Sequence, residues 1–164
     1  MHPPPTDRLL ALLRDEAALL GTAVEHAAGV HAALRRGDVP TVAAALPHHE
    51  RLADALRGLA AERGGAAAAV ATAAGLPADG VTLAELADRL PAAAGQLLAA
   101  RDRLRELSAE LISYQTGNAN LIRHLRSYFR GVLSGPTEAA APVRYGPSGT
   151  RVDPPSGIRV LARG

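Results

Sequence analysis

LLAARDRLRELSAELISYQTGNANLIRHLRSYFRGVL, residues 97–133, is a single amphipathic run with a polar gap near its middle. Leu97, Ala100, Leu104, Leu107, Leu111, Tyr114, Asn118, Leu121, Leu125, Tyr128 and Val132 follow an alternating three-four spacing. That spacing keeps apolar side chains on one helical stripe and predicts a coiled-coil-like seam against partner helices. Inside the gap, Gly117 and Asn118 stand where a helix former and a leucine would give more stability, so the run specifies something other than maximal stability there.

The same seam recurs upstream. Leu9, Leu13, Glu16, Leu20, Ala23, Ala27, Val30 and Leu34 predict a first helix from about Asp7 to Arg35. Thr6 is expected as its N-cap, after an unstructured lead-in over residues 1–5. Arg36-Gly37-Asp38-Val39-Pro40 reads as punctuation: glycine past a helix end, aspartate as the next N-cap, proline in the next first turn. This accounts for the Arg-Gly-Asp triplet without an adhesion function. A second helix carries Val42, Ala45, His49, Leu52, Leu56, Leu59, Arg63, Ala66, Val70 and Ala73 at the same spacing. Pro47 and Gly64-Gly65 are expected to bend or fray it, since both residue types are poor helix formers in interior positions. The turn Gly75-Leu-Pro77 ends it. Thr82-Leu-Ala-Glu85 is a capping box that predicts a short connecting helix, and Pro91 opens the last long one.

Composition agrees with an all-α fold. The 164 residues are rich in Ala and Leu, only 2% are aromatic, and all four aromatics lie between Tyr114 and Tyr145. Strands favour β-branched and aromatic side chains, which are scarce here. The expected architecture is an elongated antiparallel helical bundle of three long helices and one short connecting helix, residues 1–135. A disordered tail follows over 136–164, where proline and glycine are dense and helical periodicity stops. Val143-Arg-Tyr145 and Ile158-Arg-Val160-Leu161 are the apolar islands of that tail.

Several functional classes are excluded or weakened. With no cysteine, disulfides, zinc fingers and thiol catalysis drop out. The N-terminal run lacks a basic n-region, and Arg14, Asp15 and Glu16 interrupt its apolar character, so it does not read as a signal peptide. The longest uncharged stretch, Gly64 to Ala78, is too short to span a membrane. A cytoplasmic protein is expected, with no membrane insertion. All 18 basic residues are arginine and the formal net charge is +2. Residues 1–100 hold 8 Arg and 11 acids, a net of −3, and residues 101–164 hold 10 Arg and 5 acids, a net of +5. This density does not suggest nucleic-acid binding.

No constellation predicts catalysis, a cofactor or a metal. His48 and His49 are adjacent, so on a helix they diverge by about 100° and do not face one ion together. Ser148 lies outside any Gly-x-Ser-x-Gly elbow. The polar seam residues Glu16, His49, Arg63 and Asn118 read first as devices that fix register and partner choice.

Two motifs, in order and in the expected context, carry a resemblance. Asn118-Ala-Asn-Leu121-Ile122 is an NxxLI sequence in the last long helix, and Tyr145-Gly146-Pro-Ser-Gly149 is a YGxxG sequence in the tail. Together with the capped short helix and the leucine run ending in Arg63, they make the chain resemble the flagellar export chaperone FlgN family over residues 7 to about 150. Gln115, where the family often has a second asparagine, and Pro47 and Gly64-Gly65 are departures; His31 or His49 takes the place of an expected acid or lysine.

The resemblance implies a non-enzymatic chaperone for hook-filament junction proteins, FlgK- and FlgL-like, that delivers them to the flagellar type III export apparatus. It also implies that cargo binds the end of the last helix and the tail. Asn118, Leu121, Ile122, Leu125, Tyr128, Phe129, Val132 and Tyr145 are the expected contacts. The residues alone also accommodate a structural coiled-coil adaptor or oligomerisation module, and leave the oligomeric state open.

Overall fold

Local punctuation sets the helix ends. The computed structural model describes residues 4–133, together with Arg144–Tyr145 and Arg151–Val152. Its helices are α1 (Pro5–Arg36), α2 (Val39–Ala73), α3 (Leu83–Arg89) and α4 (Ala94–Leu133). Gly37 ends α1 in the left-handed conformation at φ 68°. There the Asp38 amide reaches back to the Ala33 carbonyl at 3.0 Å and the Gly37 amide to Leu34 at 3.1 Å, a Schellman closure. Asp38 then caps α2 by accepting from the Thr41 amide at 3.1 Å. Gly75, at φ 72°, repeats the closure after α2, with the Leu76 amide on the Ala71 carbonyl at 2.8 Å. The capping box of α3 is complete: the Glu85 amide donates to Thr82 Oγ1 at 3.2 Å and the Thr82 amide to Glu85 Oε2 at 2.7 Å.

Two expectations need correction. Thr6 does not cap α1. The helix begins at Pro5, and the Asp7 and Arg8 amides bond the Pro4 carbonyl at 3.0 and 3.2 Å. Proline is preset for the first helical position because its φ is already helical and it brings no amide needing a partner. Nor does α2 fray at Pro47 or Gly64-Gly65, since it runs as one helix through all three. All three residues, and Ala43 four before the proline, are exposed. Water can therefore satisfy the carbonyl that lacks an intrahelical donor.

The chain divides into two compact units, Met1–His124 and Leu125–Gly164. In the first, α1 and α2 form an antiparallel hairpin, and α4 returns alongside α1 in the same direction. Asn118 of α4 lies against Ala27 and His31 of α1, while Gln96 borders the same depression as Leu10 near the other end. α1 is the central helix. Its predicted stripe is buried throughout except for half-buried Val30, and Leu12, Val24 and Ala33 widen it. The width follows from facing two neighbours, since a stripe with one partner stays narrower.

The core is tightest at one end. Leu9, Leu13, Val70, Leu86 and Leu97 are the largest fully buried side chains, contributed by all four helices. Sequestering each from water is worth about 2 kcal/mol. α3 acts as a plug there through Leu86 and Ala87. Toward the α1–α2 turn burial declines: Val42 and Ala45 are half-buried, and Leu46 and Val39 are exposed. Alanine and histidine occupy seam positions on this half of α2, and they leave less apolar surface to bury.

In the second unit, the described residues are the last turns of α4 and a short antiparallel ladder. Here β1 (Arg144–Tyr145) pairs with β2 (Arg151–Val152), setting Arg144 opposite Val152 and Tyr145 opposite Arg151. The sequence reading placed no strand in the chain. The rest of the expected disordered tail lies outside the described residues.

Candidate functional site

An open apolar groove of about 310 Å³ lies between the three long helices within Met1–His124. α1 contributes His26, Ala27 and Val30; α2 contributes Val42, Ala45, Leu46 and His49; α4 contributes Gln115, Asn118, Ala119 and Ile122. The groove forms where the seam runs out of large side chains. Alanines at positions 27, 45 and 119 leave space that leucines would fill, and Leu46, 58% exposed, stands at its edge. Such a concavity, mostly apolar with a few polar groups, suits an apolar helix face or chain segment rather than a charged ligand.

Asn118 anchors one wall. Its amide donates to the Ala27 carbonyl oxygen at 3.1 Å, and its Oδ1 lies 2.9 Å from His31 Nδ1. Since the Asn118 amide group is already committed to Ala27, Oδ1 is the acceptor and His31 carries its proton on Nδ1. The His31 ring also meets Tyr114 edge-on at 5.9 Å. Asn118 is thus a bridge between α4 and α1 as well as a groove residue. Gly117 beside it is not forced by space, because an added Cβ would touch His31 only at an ordinary 3.5 Å.

Opposite, histidines meet across the α1–α2 seam. The ring of His26 lies 4.8 Å from that of His48, edge-on, and 6.0 Å from that of His49, stacked. His26 Nε2 is buried with no hydrogen-bond partner. Burial holds the His26 imidazole below the ordinary histidine pKa, and the neighbouring His48 and His49 push it the same way. Adjacent histidines diverge on their own helix as expected, yet both rings reach the third imidazole on α1. Among the described residues no group of three or more His, Asp or Glu side chains is arranged to hold a metal ion.

The other polar seam residues pair with each other. Arg63 Nε lies 3.3 Å from Glu16 Oε2. That carboxylate oxygen is buried and the geometry falls short of a hydrogen bond, so the contact is an ion pair.

The expected cargo residues fall into distinct settings. Asn118 and Ile122 line the groove, and Leu121 and Leu125 are half-buried. Tyr128, Phe129 and Val132 are 66%, 51% and 57% exposed, and the Tyr128 and Phe129 rings meet edge-on at 5.7 Å. Tyr145 enters the β1–β2 ladder through its backbone. Sequence reading missed His26, Val30, Val42 and Leu46 as groove residues. Val30 and Val42 are ordinary seam residues in type and spacing, while His26 and Leu46 fall beside the seams, and only the packing brings the four together.

No described helix is long and apolar enough to cross a membrane. Comparison with curated proteins and with solved structures finds no significant match. A family model described as FlgN protein matches residues 1–152, which takes in every helix, the Asn118–Ile122 motif and the β1–β2 ladder. With nearly its whole length matched, the chain belongs to the FlgN family of flagellar export chaperones.

Proposed function

We propose that this chain is a cytoplasmic, non-enzymatic chaperone for hook-filament junction proteins of the FlgK and FlgL type. It holds an aggregation-prone helical segment of the cargo, prevents premature assembly and hands it to the flagellar export apparatus. The helical bundle is the scaffold, and Tyr145 of the following segment adds a contact. The observation that carries this reading is the exposure of Tyr128, Phe129 and Val132 on the last turns of α4. Large apolar and aromatic side chains grouped on one helix are costly to leave in water and mark interaction surfaces. Leu121, Leu125, Tyr128 and Val132 continue the three-four spacing of α4, the pattern that an amphipathic helix of a partner matches. Asn118 and Ile122 add the groove as a second contact region.

Co-expression with candidate junction proteins tests the proposal. The wild-type chain is expected to yield a soluble complex, and a Tyr128→Ser, Phe129→Ser, Val132→Ser variant to lose it while keeping its helicity and melting temperature. Undiminished capture by the triple variant overturns the reading. A stable oligomer by light scattering, with no export cargo captured, favours the coiled-coil adaptor instead.

A further inference from the structure

We infer that His26, His48 and His49 form a proton-operated spacer between α1 and α2, so that protonation of His26 parts the two helices at the end where the groove lies. The inference is independent of which cargo, if any, the groove receives.

The geometry makes His26 the sensitive member. Its Nε2 is buried and has no acceptor to receive a proton's hydrogen bond. Its ring is packed at 4.8 and 6.0 Å from two imidazoles of the opposite helix, both on exposed positions. His26 is half-buried, so a cation there would have its Nε2 proton shut off from water and without an acceptor, beside groups of like or neutral charge. The alternative is for α1 and α2 to separate and let water reach Nε2, which the desolvation of that unpaired N–H favours.

Nothing around the ring offsets this. Within one turn on α1, positions 22, 23, 29 and 30 are Thr, Ala, Gly and Val. On α2 the charges acting on His26 are those of His48 and His49. The groove residues of α4 carry no charge. Glu25 and Glu50, the carboxylates nearest in sequence, lie on exposed positions. His31 belongs to the contact with α4, where its Nδ1 bonds Asn118.

The sign follows from linkage. His26 has its pKa lowered in the packed state, so the open state binds more protons. The closed seam is fully stable above the ordinary histidine value, and its stability falls as pH drops through that value toward the packed one.

Hydrogen exchange on the full chain, expressed as protection factors over residues 24–31 and 42–50, reads the opening equilibrium directly. Between pH 7.5 and pH 5.5, protection there is expected to fall by up to about tenfold per pH unit in the interval between the open and packed values. Protection around Leu9, Val70 and Leu97 should stay level. In His26→Gln, which cannot take up a proton, the fall should vanish, and in His48→Gln/His49→Gln it should shrink. A pH-independent wild type, or an equal fall in His26→Gln, overturns the proposal. Should His26→Gln not fold, NMR titration of the wild type decides: His26 protonating at or above about pH 6.5 overturns it, and protonation below that value with loss of local protection supports it.

Discussion

Asn118 donates its side-chain amide to the carbonyl oxygen of Ala27 at 3.1 Å, so the polar gap of α4 is a tie to α1 rather than a break in the seam. The tie fixes register, because moving α4 by one residue would carry the amide away from both Ala27 and His31. Asn118→Ala removes both bonds and leaves His31 Nδ1 with no partner. A loss of about 1–2 kcal/mol is expected, read as a lower urea midpoint with unchanged slope.

Glu16 and Arg63 are a second tie, between α1 and α2. Removing one partner strands a charge near the core, whereas removing both leaves an apolar seam. Arg63→Met is expected to destabilise by about 1–3 kcal/mol, less than a fully buried pair would lose because Arg63 is partly exposed. Glu16→Met/Arg63→Met is expected to recover most of that loss. A double-mutant cycle in urea measures the coupling, and independent effects of the two substitutions would show that the pair has no energetic link.

The gradient of packing along the bundle predicts a contrast between two leucines. Leu97, fully buried among α1, α2 and α3 residues, should cost about 2–5 kcal/mol when cut to alanine. Leu46 at the groove edge should cost below about 0.5 kcal/mol. Thermal melts distinguish the two.

Gly64 and Gly65 sit in α2 with open space where a Cβ would project. Alanine at either position is expected to stabilise by about 0.5–1 kcal/mol through the unfolded chain's lost freedom. A raised melting temperature checks this, and no change would mean that the two glycines give the unfolded chain no extra freedom to lose.

Acid weakens the helix starts for a specific reason. The Thr41 bonds hold the Asp38 carboxyl below its ordinary pKa, and the Thr82 bonds do the same for Glu85. The folded carboxylates resist protonation longer than the unfolded ones. Their stabilisation is therefore present above the ordinary carboxylate range, at about pH 4, and is lost as pH falls through the folded values. Urea midpoints between pH 6 and pH 3 are expected to decline less steeply in Asp38→Asn/Glu85→Gln than in the wild type.

Sequence alone determined the helices, their order and most of their ends. Gly37, Asp38, Gly75 and the Thr82–Glu85 box act within a few residues of chain, so their geometry is written locally, and the three-four spacing named seven of the ten buried residues of α1, missing Leu12, Val24 and Ala33. It also singled out Glu16, His49, Arg63 and Asn118 as misplaced in an apolar seam, and Tyr128, Phe129 and Val132 as an aromatic-bearing helix end. Tertiary structure decided what those residues do. Whether Glu16 finds Arg63, Asn118 finds Ala27 and His31, or His26 meets two imidazoles depends on how helices far apart in sequence are set in register, which no local spacing states. The groove likewise exists only because small residues of three helices fall at one level, where side chains run out before the space between the helices does.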